Sequence, residues 1–285
     1  MNIEEEKNTK RIQFYVRDKF KTQELWALLE KYEDDLEEAS RDTKDDEDYK
    51  MIILRIVSRS LIVLREIIVL CEAGYPDDAF SLSRLLYEQC IHVLFFKIHE
   101  NDPTFQNYTD DFLLNGAYQL YKYRRVNALY FSGQEQKQEL LLDLKEMKER
   151  AHHTFPEEKP NDYWWAGYKR FGSMIQEIKE KYNQSEDQDI LNRLYLLYMA
   201  TNRFIHVNAA GNMQRLGYES KSNVINTSPN YMGQGLPLYF ASLCMTIVIV
   251  RSCELFEMNS EYYKNIINDF SCYLKDNIYI FGGEE

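Results

Sequence analysis

AGYPDDAFSLSRLLYEQCIHVLFF (residues 73–96) carries a helix stop, a helix start and then a long run with no breaker inside it. Gly74 suits the left-handed residue that closes a helix, and Pro76 suits the first turn of the next. After Pro76, the residues Phe80, Leu82, Leu85, Leu86, Ile91, Val93 and Leu94 make most of the circumference apolar. Asp77, Ser81, Arg84, Glu88 and His92 recur at i, i+4, i+7, i+11 and i+15, which lines them along one helical face. Such a stripe either faces water or forms a polar seam in a bundle, and the breadth of the apolar surface favours at least partial burial. Arg84 and Glu88 stand in the reverse of the Glu-then-Lys order that supports an isolated helix, so helix support is a weak reason for the pair. A structural ion pair is the competing reading, although a buried one is costly unless well satisfied.

Working outward, MIILRIVSRSLIVLREIIVLCEAG (residues 51–74) reads as a long apolar helix. Arg59 and Glu66 on it join the same seam if the short Gly74–Tyr75 connection folds the two helices antiparallel. A solvent face is the alternative. Helical spacing is also expected over residues 10–40, 103 to about 130, 134–151, 162–182, 187–208, 236–257 and 260–276. With 11 Gly and 6 Pro in 285 residues, turn-rich β folds are disfavoured. The expected fold is all-α: a bundle of about eight or nine helices and no sheet. Residues 1–45 are expected as an acidic helical arm and residues 46–285 as the bundle domain. Residues 209–235 hold four of the eleven glycines and lack a 3.6 period, which predicts a long loop, either a connector or a functional cover.

The formal net charge is −12, from 46 acidic and 34 basic residues. Residues 1–50 hold 16 acids and 10 bases, half of that excess. General attraction to nucleic acid or an anionic membrane is therefore not expected, and neither is DNA groove reading. The five cysteines (71, 90, 244, 253 and 272) form no CxxC pair and no Cys/His cluster. They read as reduced thiols acting as small hydrophobes. The start, MNIEEEKNTK, has no apolar signal region. The most apolar late stretch has about 14 residues before Arg251, short of a span of roughly 20. A cytoplasmic protein without a membrane segment is expected, with no metal and no cofactor. GxxxxGK[ST], GxGxxG, HExxH and GxSxG are all absent, which sets aside nucleotide-triphosphate motors, zinc hydrolases and serine hydrolases.

LYLLYMATNRFIHVNAAG (residues 194–211) carries a second stripe. Tyr198, Asn202 and His206 are spaced i, i+4 and i+8 on one face, and Arg203 lies about 100° away. His206 falls near a helix C-terminus, where the dipole favours a protonated imidazole. A core or capping histidine is the plainer reading. The Trp164–Trp165 pair, with Tyr163 and Tyr168, can stack a base, but helix packing or a dimer interface fits it better.

These residues resemble the signature of a bacterial all-helical family with no assigned function. Its pattern is a long apolar helix, a G-x-x-x-x-A turn, R-x-x-x-E on the next helix and Y-x-x-x-S-x-x-x-H on a later one. Here the positions read Gly74, Ala79, Arg84 and Glu88, then Tyr198, Asn202 and His206, with Asn in place of Ser. The match covers about residues 47–257. A second set of residues, Arg203-Phe-Ile-His206, is similar to the R-x(4–6)-H motif of the HEPN ribonucleases, with a shorter spacing. That resemblance implies a dimeric, metal-independent ribonuclease of bacterial toxin or phage-defence systems. His206 and Arg203 are the catalytic candidates of that motif; Arg84, oriented by Glu88, is added from its own stripe as an alternative source of the arginine, and Asn202, Tyr198 and Arg59 are the substrate-binding candidates. RNA or a nucleotide is the expected partner, with a homo-oligomer, most simply a dimer. The rival expectations are a non-enzymatic helical interaction module with a protein partner, or a sensor of a small anionic ligand.

Overall fold

The computed structural model describes residues 3–41, 43, 48–131, 145, 149, 164–166, 170–183, 187–205 and 233–277. Among them are nine α-helices and no strand: α1 (Ile3–Phe20), α2 (Thr22–Ser40), α3 (Asp48–Glu72), α4 (Pro76–His99), α5 (Phe105–Phe131), α6 (Phe171–Lys181), α7 (Asp187–Ile205), α8 (Gly235–Leu255) and α9 (Ser260–Asn277). Among the described residues between α5 and α6, Trp164–Ala166 form a 3₁₀ turn. The chain divides into two compact units, Met1–Leu94 with Tyr182–Glu285, and Phe95–Lys181. All of the helix expected over 134–151 except Lys145 and Glu149, and most of the loop expected over 209–235, lie outside the described residues.

The first unit is assembled on α8, against which α3, α7 and α9 pack. By length and composition α8 could cross a membrane, with a mean hydropathy of 1.7 over its most apolar window, but 72% of that window is buried inside the protein. The span is longer than the 14 apolar residues before Arg251 suggested, because the helix begins at Gly235 and runs through the arginine. Its polar side chains are satisfied within the helix: the hydroxyls of Ser242, Thr246 and Ser252 donate to the carbonyls of Tyr239, Ser242 and Ile249, which removes the penalty of burying them. α9 is amphipathic and buries Tyr263, Ile267, Phe270 and Leu274, spaced i, i+4, i+7 and i+11.

The spacing over residues 10–40 predicts one helix, and the structure makes two. Lys21 breaks them with φ 51° and ψ 36°, a left-handed conformation that costs a non-glycine residue about 1–2 kcal/mol. The compensation is one residue further on. Thr22 is fully buried, and its hydroxyl donates to Glu72 Oε1 at 2.7 Å. From α1, Gln13 Nε2 donates to Glu72 Oε2 at 3.2 Å and Arg17 Nε at 2.9 Å, with a further Arg17 nitrogen at 2.8 Å. A straight helix would not deliver Gln13, Arg17 and Thr22 to one carboxylate. The ammonium of Lys21 sits 4.6 Å from the Tyr273 ring centroid on α9. The stretch read as an acidic arm is therefore packed into the first unit. Tyr32 meets Ser252 through hydroxyls and Tyr263 edge-on. Asp35 accepts from the Tyr263 hydroxyl, and the Tyr273 hydroxyl donates to the Lys19 carbonyl at 2.7 Å.

In the second unit Trp165 is buried, stacked on Phe96 at 5.0 Å and edge-on to Phe95 and Phe112 at 5.1 and 4.8 Å. Such contacts add to area burial and make this ring the core of the unit. The helix expected from residue 162 starts only at Phe171, and the 3₁₀ turn before it places the indole. Four cysteines are buried, and Cys272 is exposed.

Burial raises the Glu72 carboxyl, but the hydrogen bonds from Arg17, Thr22 and Gln13 outweigh it, so the group titrates below the usual carboxylate range. A lowered carboxyl contributes stability above its unfolded value, about pH 4.3, and loses it as pH falls through the folded value. Glu72→Ala is expected to cost about 3 kcal/mol in denaturant unfolding near neutral pH, since it leaves Arg17 and Thr22 facing a void. Glu72→Gln is expected to cost less and to flatten the acid limb of the stability curve.

Candidate functional site

The polar stripe of α4 meets the stripe of α7 within the first unit. Arg84 Nε donates to Glu88 Oε1 at 3.0 Å, one turn along α4. Arg84 Nη1 donates to Asn202 Oδ1 at 3.0 Å, across to α7. The guanidinium carbon lies 5.1 Å from the Tyr198 ring centroid. Tyr198 in turn stacks on Tyr87 at 4.7 Å with 29° between planes, and Tyr87 leans on Phe240 of α8 at 6.1 Å. Arg84 and Glu88 are half-buried, with 27% and 22% of their side chains exposed.

Each contact fixes a different degree of freedom. Glu88 and Asn202 set the plane of the guanidinium by two hydrogen bonds, the first of them between opposite charges. Tyr198 supplies a face for the cation. Tyr87, fully buried, holds that face in place. Burial raises the Tyr198 phenol, with Glu88 and Tyr195 adding to the rise and Arg84 opposing it, so the ring stays neutral. A guanidinium held this way is preorganised for the planar recognition of an oxyanion.

Of the residues singled out from sequence, Arg84, Glu88, Asn202 and Tyr198 are brought together. Arg59 is exposed on α3, as is Glu66, and no hydrogen bond or ion pair among the described residues joins Arg59 to Arg84. Arg203 belongs to α7, but its side chain is not among those described, and His206 lies outside the described residues. Tyr87 was not among the candidates. The signal for it was an aromatic residue three positions after the arginine on the same helix, where side chains meet. Among the described residues, shallow clefts lie elsewhere. One of about 550 Å³ is lined by Lys10, Gln13, Phe14 and Arg17 among others. One of about 440 Å³ lies beside His99. Among the described residues no group of three or more His, Cys, Asp or Glu side chains is placed to hold a metal ion.

His92 continues the α4 stripe one turn beyond Glu88. Its burial pushes the imidazole down to about 4, so the ring is neutral near pH 7. A lowered histidine is destabilising on the acid side, because the unfolded chain takes up a proton below about 6.5 that the folded chain refuses until about 4. Stability is expected to fall as pH drops through that window, by an amount on the order of 2–3 kcal/mol. In His92→Gln, urea unfolding across the same window should lose that part of the slope; an unchanged slope would place its origin elsewhere.

Residues 49–223 match the model described as "Family of unknown function (DUF5677)". The matched span contains Arg84, Glu88, Tyr87, Tyr198 and Asn202. No curated protein and no solved structure matches the chain. The match covers more than half of the 285 residues, and the chain belongs to this family of unknown function.

Proposed function

We propose that the Arg84 cluster is the phosphate-recognising half of a metal-independent ribonuclease of the HEPN-like kind. The observation that supports this reading is the bracing of Arg84 by the helix that carries Arg203 and leads directly to His206. Asn202, which accepts from Arg84, is adjacent to Arg203 and four residues before His206. The likeness to the HEPN motif rests on these residues alone.

In this reading His206 takes the 2′-hydroxyl proton, the 2′ oxygen attacks phosphorus to form a 2′,3′-cyclic phosphate, and the 5′ oxygen leaves with the proton that His206 has taken up. Arg84 and Arg203 stabilise the charge that builds on the phosphoryl oxygens. Glu88 orients Arg84, and Asn202 and Tyr198 position the strand. The net charge of −12 opposes nonspecific RNA binding, so affinity must come from this local set. A second reading treats the cluster as a network that fixes the register of α4 against α7. It is favoured by Arg84 Nε and Nη1 both having protein partners already.

RNA cleavage by the purified protein in the presence of a chelator separates the two. The ribonuclease reading expects cleavage by the wild type, a loss of at least about 10²-fold in His206→Ala, and a loss of similar size in Arg84→Ala. Both variants must keep their helical circular dichroism. An inert wild type, together with a lowered melting temperature in Arg84→Ala, rejects the enzyme and leaves the network.

A further inference from the structure

The second unit contains a histidine held between two carboxylates, and nothing in the ribonuclease reading uses it. His99 closes α4. Its Nδ1 contacts the carboxylate of Asp102, three residues on, and its Nε2 lies 3.0 Å from Glu177 Oε1 on α6. The side chain is only 11% exposed. Its ring packs on Phe95 at 4.4 Å and on Tyr108 at 5.0 Å. The cleft beside it is lined by Ile98, His99, Asp102, Glu177, Glu180 and Lys181, so the arrangement borders solvent.

Neutral imidazole carries one N–H and one lone pair, whereas imidazolium carries two N–H donors. With a carboxylate at each edge, only imidazolium can donate to both. Without the second proton, one lone pair faces a carboxylate. The Asp102 contact is local in sequence. The Glu177 contact is the tertiary one, and it is close without being well aligned, since Nε2 makes no hydrogen bond of good geometry. The other charged groups here do not replace the proton. Glu180 adds negative charge to the cleft and Lys181 positive, while Lys97 and Glu100 pair with each other at 2.7 Å.

We propose that His99 is a proton-operated clip: as imidazolium it fastens α6 to the end of α4, and on losing a proton it releases Glu177. The consequence is an α6 whose hold on the end of α4 weakens as pH rises.

Hydrogen exchange of the full chain tests this, with protection factors corrected for the intrinsic pH dependence of exchange and read on peptides covering α6. In the wild type, α6 protection is expected to fall roughly twofold to fivefold from about pH 5 to about pH 8, the range of a modest ion pair. In Glu177→Gln the fall should vanish, and in His99→Gln protection should be low at both pH values. Should His99→Gln fail to fold, Glu177→Gln carries the test by itself. Wild-type α6 protection that does not change with pH, or a fall that survives in Glu177→Gln, overturns the proposal.

Discussion

Glu72 is the last residue of α3, with a carboxylate side chain 5% exposed, and the placement of the first two helices follows from what it needs. A buried carboxylate is tolerated only when its oxygens are filled with donors. The donors come from Gln13 and Arg17 on α1 and from Thr22 at the start of α2. Meeting that demand forces the left-handed elbow at Lys21. The elbow aims α2 so that Tyr32 and Asp35 reach Ser252 and Tyr263. An acid in the last turn of a helix also opposes the helix dipole, so the residue is paired against its local preference and held there by tertiary contacts.

The Arg84 cluster follows the same rule in a more open setting. Arg84 and Glu88 are a half-buried pair, and a pair of that exposure contributes little by itself. Tyr198, Tyr87 and Phe240 behind it convert a flexible side chain into a fixed one. The aromatic stack costs little entropy because every ring in it is already part of the core of the first unit. Rigidity of this kind serves recognition and structural registration equally, which is why the two readings of the cluster share one geometry.

Much of this was legible in the sequence, for identifiable reasons. The α4 stripe is a matter of 3.6-residue spacing, and the Arg84–Glu88 contact is one turn long, so both are local. Asn202 is 118 residues from Arg84; spacing placed it with Tyr198 on one face of α7 but could not name its partner. The break at Lys21 was hidden because lysine is not a left-handed residue by propensity, and only the pull of Glu72 on Thr22 explains it. Glu72 is not legible because its partners arrive from other helices, nor is the Glu177 partner of His99 for the same reason. Glu72 left one trace, an acid just before the Gly74 helix stop. Arg59 shares the apolar helix α3, yet it points to solvent, because the helical period alone does not say which side of a broad apolar helix is covered.

The contacts that seal the first unit span very long stretches of chain. Tyr32 and Ser252 are 220 residues apart, Asp35 and Tyr263 are 228, and Lys19 and Tyr273 are 254. Ser252 lies on α8, the most apolar of the described helices, and Tyr263 and Tyr273 lie on α9; both leave the ribosome after α1 to α7 have been made. Until then α3, with Ile52, Ile56, Val63 and Ile67 destined for full burial, has no permanent partner on that side. Contacts of such separation are slow to form, and the waiting surface is prone to aggregate. The first unit therefore closes only when α8 and α9 are present to meet α1, α2 and α3.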